Sequence, residues 1–102
     1  MKRYGVVLAP AAQTQARKIA GWWRENRPSV PDLFDHEMEA MLDRLADAPN
    51  MGLSYRTVRN RLIRRALMAR TSYNVYFETD EERALVRIVA VWHAARGRGP
   101  RL

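Results

Sequence analysis

Tyr73-Asn74-Val75-Tyr76-Phe77-Glu78-Thr79-Asp80-Glu81-Glu82-Arg83-Ala84-Leu85-Val86-Arg87-Ile88-Val89-Ala90-Val91-Trp92 is the stretch that decides the fold. Its opening seven residues are rich in β-formers, Asp80-Glu81-Glu82-Arg83 is a polar turn, and Leu85 to Trp92 is β-branched almost throughout. An antiparallel strand pair is expected. Just upstream, Leu62-Ile63-Arg64-Arg65-Ala66-Leu67-Met68-Ala69 fits helix or strand by period alone, and the strand pair that follows selects a strand, giving a three-stranded meander. Residues 55 to 61 stay open between loop and strand. In the last strand, strict alternation puts Val86, Ile88, Ala90 and Trp92 on one face and Arg87, Val89, Val91 and His93 on the other. The expectation is that one face packs under helices while Arg87 and His93 stand together on the open one.

Working outward, Arg3-Tyr4-Gly5-Val6-Val7-Leu8 reads as a short strand that ends before Pro10, a residue suited to the first turn of a helix. From Ala11 to about Glu25, residues Ala12, Ala16, Ile19, Ala20 and Trp23 form one helical stripe. Trp22 lies off it, either half-covered by a neighbouring element or set out as an anchor for a partner. Arg27-Pro28-Ser29-Val30-Pro31 breaks the chain, and a second helix is expected over Asp32 to Asp47, with Phe34, Met38, Met41, Leu42 and Leu45 inward. Asp35, Glu37, Glu39 and Asp43 fall elsewhere. Two helices joined this closely form a hairpin. The methionines read as adaptable core filler. The fold class is α+β, a two-layer β-α-α-β-β-β arrangement in one domain over residues 1–102, with the tail Gly97-Arg98-Gly99-Pro100-Arg101-Leu102 expected to fray.

The 102 residues, 47% hydrophobic, suffice for one small core without disulfides, and zero cysteines remove thiolate chemistry and any Cys-based zinc site. Neither a metal nor a cofactor is called for. The apolar run near the start is cut at Pro10, too short for a signal peptide or membrane span, so a soluble cytoplasmic protein is expected. Residues 1–50 carry 7 Lys+Arg against 7 Asp+Glu and residues 51–102 carry 11 against 4, so the net charge of +7 arises in the second half. Such a field attracts polyanions or acidic proteins. Only Lys2 and Lys18 among the 18 basic residues are lysines, which suits planar recognition of phosphate or carboxylate and equally reflects Arg-favouring codon usage.

Several segments in this order resemble the RelE/ParE superfamily of bacterial toxin-antitoxin toxins over nearly the whole chain: Val7-Leu8-Ala9-Pro10-Ala11-Ala12, Leu45-Ala46-Asp47-Ala48-Pro49-Asn50-Met51-Gly52, Arg64-Arg65, Tyr73-Asn74-Val75-Tyr76-Phe77, and Ile88-Val89-Ala90-Val91-Trp92-His93-Ala94-Ala95-Arg96. The closing strand followed by His-x-x-Arg looks more like the ParE branch. That branch implies inhibition of DNA gyrase by binding, with Arg96 and Arg98, then Arg64 and Arg65, as target contacts. The RelE branch implies a ribosome-dependent messenger RNA endonuclease. Attack of a 2′-hydroxyl on its phosphate needs a base, an acid and cations, for which Arg64, Arg65, Arg70, Tyr73, Arg87 and His93 are candidates and Arg65, Arg87 and His93 the core set. Tyr73 stands where some ribonucleases of the family place an Arg, and no lysine follows Lys18 to supply their Lys pair. Both branches imply a cognate antitoxin bound in a hetero-oligomer, with Trp22, Arg70 and Tyr73 as its contacts. A relative that has lost toxicity and survives as a binding module is a further reading, and a plain basic nucleic-acid-binding domain another. Blander roles are also open: Arg64 and Arg65 straddling the sheet with one paired to a second-helix acid, His93 bonded to backbone at a strand end, and Arg96 and Arg98 in a solvated tail.

Overall fold

The computed structural model describes residues 2–102, ordered as β1 (Gly5–Leu8), α1 (Pro10–Asn26), α2 (Leu33–Asp47), β2 (Leu53–Val58), β3 (Arg61–Met68), β4 (Tyr73–Asp80) and β5 (Leu85–His93). The strands form one sheet in the order β1-β5-β4-β3-β2, with β1 parallel to β5 and all other neighbours antiparallel. The α+β class is as expected. The meander has four strands where three were expected, because Leu53–Val58, which overlaps the stretch 55–61 that reads equally as loop or strand, pairs with β3. Its hairpin turn is Arg59-Asn60, both at positive φ (50° and 65°), the twist that a two-residue connection between antiparallel strands demands. Gly52, at φ +86°, leads into β2 where a Cβ would run into the Arg65 carbonyl.

Both helices lie on one face of the sheet. Pro10 opens α1 with its missing N–H in the turn where none is needed, and Ala12, Ala16, Ile19, Ala20 and Trp23 pack as the stripe requires. From α2 come Phe34, Met38, Met41, Leu42 and Leu45, meeting Ala66, Met68, Val75, Phe77, Val86, Ile88 and Val91 of the sheet. Arg24 and Asp35 link the two helices at 3.5 Å.

Strict alternation fails in β5. Tyr76 pairs with Ala90 but Phe77 with Ile88, so Val89 is the extra residue of a β-bulge and every side chain beyond it changes face. Two expectations are corrected by this. Ala90 leaves the helical side to pack with Ile63 and Tyr76, flanked by Trp92, while Val91 joins Val86 and Ile88 in the main core. His93 does not accompany Arg87: it packs edge-on against Tyr73 at 4.9 Å, which in turn meets Phe34 of α2 at 5.5 Å. The backbone consequence is met by α1. Since β1 ends at Leu8 opposite Ile88, the Val91 N–H has no partner in β1, and it donates to Gln15 Oε1 at 2.8 Å.

The tail is also corrected. After a turn in which the Arg96 N–H donates to the His93 carbonyl at 3.2 Å, the chain folds back across the open face of the sheet. There Trp92 Nε1 donates to the Arg98 carbonyl at 2.7 Å, Gly99 lies against the Tyr55 ring, and Pro100 is buried. The cause is apolar: Ile63, Tyr76 and Ala90, with Tyr55, Val58, Val89 and Trp92 around them, form a second cluster on the face opposite both helices.

Candidate functional site

The β3–β4 turn fixes one wall of a groove. Glu37 of α2 accepts the Arg70 N–H at 2.7 Å, the Thr71 N–H at 2.9 Å and the Thr71 hydroxyl at 2.5 Å, and Ser72 takes φ 64° with its N–H on the Met68 carbonyl. Tyr73 then enters β4 with its ring between Phe34 and His93. At the end of β5 the Ala95 N–H donates to His93 Nδ1 at 3.0 Å, which assigns the ring proton to Nε2. Arg96 lays its guanidinium 4.2 Å above the Trp92 ring.

Between this corner and α1 lies a cavity of about 210 Å³ lined by Gln15, Lys18, Ile19, Tyr73, His93 and Arg96, among others. A second, of about 330 Å³, shares Tyr73 and His93 and continues along Thr71, Trp22, Trp23 and Arg27. Together they make a groove with aromatic walls and basic ends. Trp22 is 44% exposed, edge-on to Trp23 at 5.8 Å and capped by Arg27 at 5.0 Å. Trp23 Nε1 is buried without a hydrogen-bond partner. Burial holds the Tyr73 phenol above its ordinary value of 10.0, against the opposing pull of the Arg96 charge.

The opposite face carries the other basic residues. Arg65 pairs across the ladder with Tyr76 and shares its face, whereas Arg64 pairs with Phe77 and points to the helical side. Neither Arg64 nor Arg65 forms an ion pair among the described residues, so the alternative of a bridge from one of them to an α2 acid is not what the structure has; Asp43 and Asp47 hold Arg3 instead, at 2.6 and 2.7 Å. Arg61 meets Glu78 at 3.0 Å beside Arg87.

The candidates therefore separate into three places. Trp22, Tyr73, His93 and Arg96 share the groove, with Arg70 exposed on the turn beside Thr71; Arg65 and Arg87 lie on the open face; Arg64 lies on the helical side. Arg98 is exposed, bound to the sheet through its carbonyl. The set Arg65, Arg87 and His93 is not assembled, since the bulge at Val89 puts His93 on the other side of the sheet. Gln15, Lys18, Trp23 and Arg27 escaped attention as groove residues. The adjacent tryptophans were the available signal, since a helix cannot turn both inward along one stripe. Among the described residues no group of three or more His, Cys, Asp or Glu is placed to hold a metal, and no helix is long and apolar enough to cross a membrane.

Residues 6–97 match the family described as the ParE toxin of the type II toxin-antitoxin system parDE. Comparison with curated proteins finds no match. Among solved structures, the fold is similar to a chain of the RelBE2 toxin-antitoxin complex of Mycobacterium tuberculosis, with 19% identity, TM-score 0.59, and 91% of this chain and 93% of that one covered. It is also similar to the isolated RelE toxin of E. coli, with 14% identity, TM-score 0.61, and 93% and 88% covered. At these identities the two structures speak for the fold, and the match across residues 6–97 speaks for the lineage: the chain belongs to the ParE family of type II toxins, within the RelE/ParE superfamily.

Proposed function

We propose that this toxin acts by binding DNA gyrase, without chemistry of its own, and that an acidic cognate antitoxin holds it in check. The observation that carries this reading is the bulge at Val89. It separates His93 from Arg65 and Arg87, and the His93 Nδ1 lone pair is taken by the Ala95 N–H. A ribonuclease needs base, acid and phosphate-binding cations converging on one phosphate. A binding toxin needs no such convergence: Arg96 and Arg98 at the end of β5 are the target contacts we assign first, with Arg65 on the open face and Arg64 on the helical side second. The RelBE2 chain was solved as a toxin-antitoxin complex, which supports a similar heteromer here. We assign the antitoxin to the groove of Trp22 and Tyr73, with Arg70 at its rim, where an amphipathic acidic segment finds apolar walls and basic ends. Such a toxin meets gyrase in the cytoplasm.

The test is induced expression in bacteria with and without the adjacent reading frame, scored for growth, a DNA-damage reporter and transcript integrity. Purified gyrase is assayed in parallel for trapped cleavage complexes. Arrest with a damage signal, intact transcripts and trapped gyrase is expected. Arrest with cut transcripts and idle gyrase assays would instead favour the endonuclease reading, and no arrest would leave a toxin relative that only binds.

A further inference from the structure

We propose that the cavity between α1 and the end of β5 binds a small tetrahedral oxyanion, either free phosphate or the phosphate group of a small monoester. Every polar side chain that lines it carries hydrogen-bond donors, and no carboxylate lines it. The local structure sharpens that bias residue by residue. The Val91 N–H takes Gln15 Oε1 as its acceptor at 2.8 Å, which leaves the NH2 group as the uncommitted end of that amide. His93 is in the same position: Nδ1 accepts the Ala95 N–H at 3.0 Å, so Nε2–H is what the ring has to give. Burial favours the protonated Tyr73 phenol, again a donor. Lys18 and Arg96 add two cations, and neither meets a carboxylate among the described residues.

These groups reach the cavity from two sides. Gln15 and Lys18 stand three residues apart on α1, neighbours on one helical face, while Tyr73 opens β4 and His93 ends β5. The Tyr73 and His93 rings are 4.9 Å apart, and the Arg96 guanidinium is laid over the Trp92 ring at 4.2 Å, beside them. A carboxylate presents two oxygens in one plane. A phosphate presents its oxygens around a tetrahedron and carries up to two charges, which suits two cations and neutral donors arriving from opposite walls. At about 210 Å³ the cavity is smaller than the pockets of roughly 300 Å³ upward that enclose drug-sized ligands, so the ion fits and a bulky ligand does not. The substituent of a monoester has a way out. The adjoining cavity shares Tyr73 and His93, and there Trp23 Nε1 is buried without an acceptor.

A chain of net charge +7 attracts any anion, so the test must separate a site from a field. Inorganic phosphate is titrated by calorimetry, at constant ionic strength, into the purified chain and into Lys18→Gln, Gln15→Glu and Arg17→Gln. One site with a dissociation constant on the order of 0.1 to 1 mM is expected, within reach of a five-atom ligand. Lys18→Gln should weaken it about tenfold, as for one lost charge-assisted hydrogen bond. Gln15→Glu keeps an oxygen for the Val91 N–H but sets a negative charge against the anion, and should abolish binding. Arg17→Gln removes the same charge as Lys18→Gln from an exposed neighbour outside the cavity, and should change affinity less than about twofold. Thermal unfolding of each variant separates lost binding from lost folding. Equal losses in Lys18→Gln and Arg17→Gln would overturn the site. So would phosphate that leaves the Gln15 side-chain amide signal unmoved in proton–nitrogen correlation spectra. Glycerol phosphate binding more tightly than inorganic phosphate, with the Trp23 indole signal moving, would assign a monoester; the reverse order, with that signal still, would assign the free ion. Glutarate binding as tightly as phosphate would overturn the tetrahedral ion in favour of a carboxylate. Neither gyrase nor antitoxin enters these measurements, so the inference and the proposed target fail separately.

Discussion

Glu37 looks like a solvated acid on the outer side of a helix, yet it organises the corner of the groove. Its carboxylate accepts three hydrogen bonds from Arg70 and Thr71, and Thr71 is only 5% exposed. Glu37→Ala leaves two amides and a buried hydroxyl without their acceptor, so a loss of roughly 2 to 3 kcal/mol is expected in urea unfolding, in the range for hydrogen bonds to a charged group. Glu37→Gln keeps the shape but replaces an acceptor oxygen with a donor, and should recover only part of that. Tyr73, next along the turn, reports on the same corner through its ionisation. Burial raises its pKa and the Arg96 charge opposes the rise. A phenol whose folded pKa exceeds its unfolded value is held neutral by folding. Its contribution to stability is therefore complete below about pH 10 and is lost as pH climbs through the folded value. Arg96→Ala removes the opposing charge and should move the Tyr73 titration further up. Absorbance at alkaline pH, with Tyr73→Phe to identify the signal, checks the direction, and a downward movement would mean that Arg96 does not act on Tyr73 in solution.

At the scale of elements, the bulge in β5 is the feature on which both the core and the site depend. Val91 should face the open side by strict alternation but is 2% exposed in the main core, while Val89 is the bulged residue. Val91→Thr places a hydroxyl there at almost unchanged volume and should cost about 2 kcal/mol, whereas Val89→Thr should cost less than about 1 kcal/mol. Equal costs in chemical denaturation would contradict the phase change. This marks where sequence reading succeeded and where it stopped. The helical stripes of α1 and α2 and the β-branched run of β5 were legible because hydrophobic period reports burial on one side of an element. A bulge leaves no such trace: Ile88-Val89-Ala90-Val91 is apolar on both faces, so its phase is set by pairing with β4 and not by composition. Strand β2 was missed as a definite element for a related reason. Its exposed Leu53, Ser54, Arg56 and Thr57 lack alternation, and its turn uses Arg59 at positive φ where Gly or Asn would have announced a hairpin. Of the groove, Trp22 and Tyr73 were legible, but Gln15 and Lys18 acquire their place only when α1 is laid on β5.

For the whole molecule, the charge asymmetry between the two halves of the chain is sharpened by pairing, since several acids are engaged while most arginines of the second half meet no carboxylate among the described residues. Asp43 and Asp47 hold Arg3, Asp35 meets Arg24, and Glu37 is bound to the β3–β4 turn. In the second half Glu78 and Asp80 meet Arg61 and Arg83, while Arg64, Arg65, Arg87, Arg96 and Arg98 have no carboxylate partner among the described residues. The outward field is therefore set by arginines that do little for folding, and charge reversal there separates function from stability. Arg96 contributes a cation–π contact to Trp92, worth about 0.5 to 1 kcal/mol at an exposed site, and Arg98 is held through its carbonyl, so Arg96→Glu with Arg98→Glu should cost no more than about 1 kcal/mol. If these residues form the target contacts, the double variant should lose growth arrest at equal expression, with the dose needed rising at least about tenfold for interface charges of this kind. Arrest that survives this double reversal but disappears with Arg65→Glu would shift the target surface from the end of β5 to the open face of the sheet. Arrest unaffected by either would show that this electropositive surface is not what the target reads.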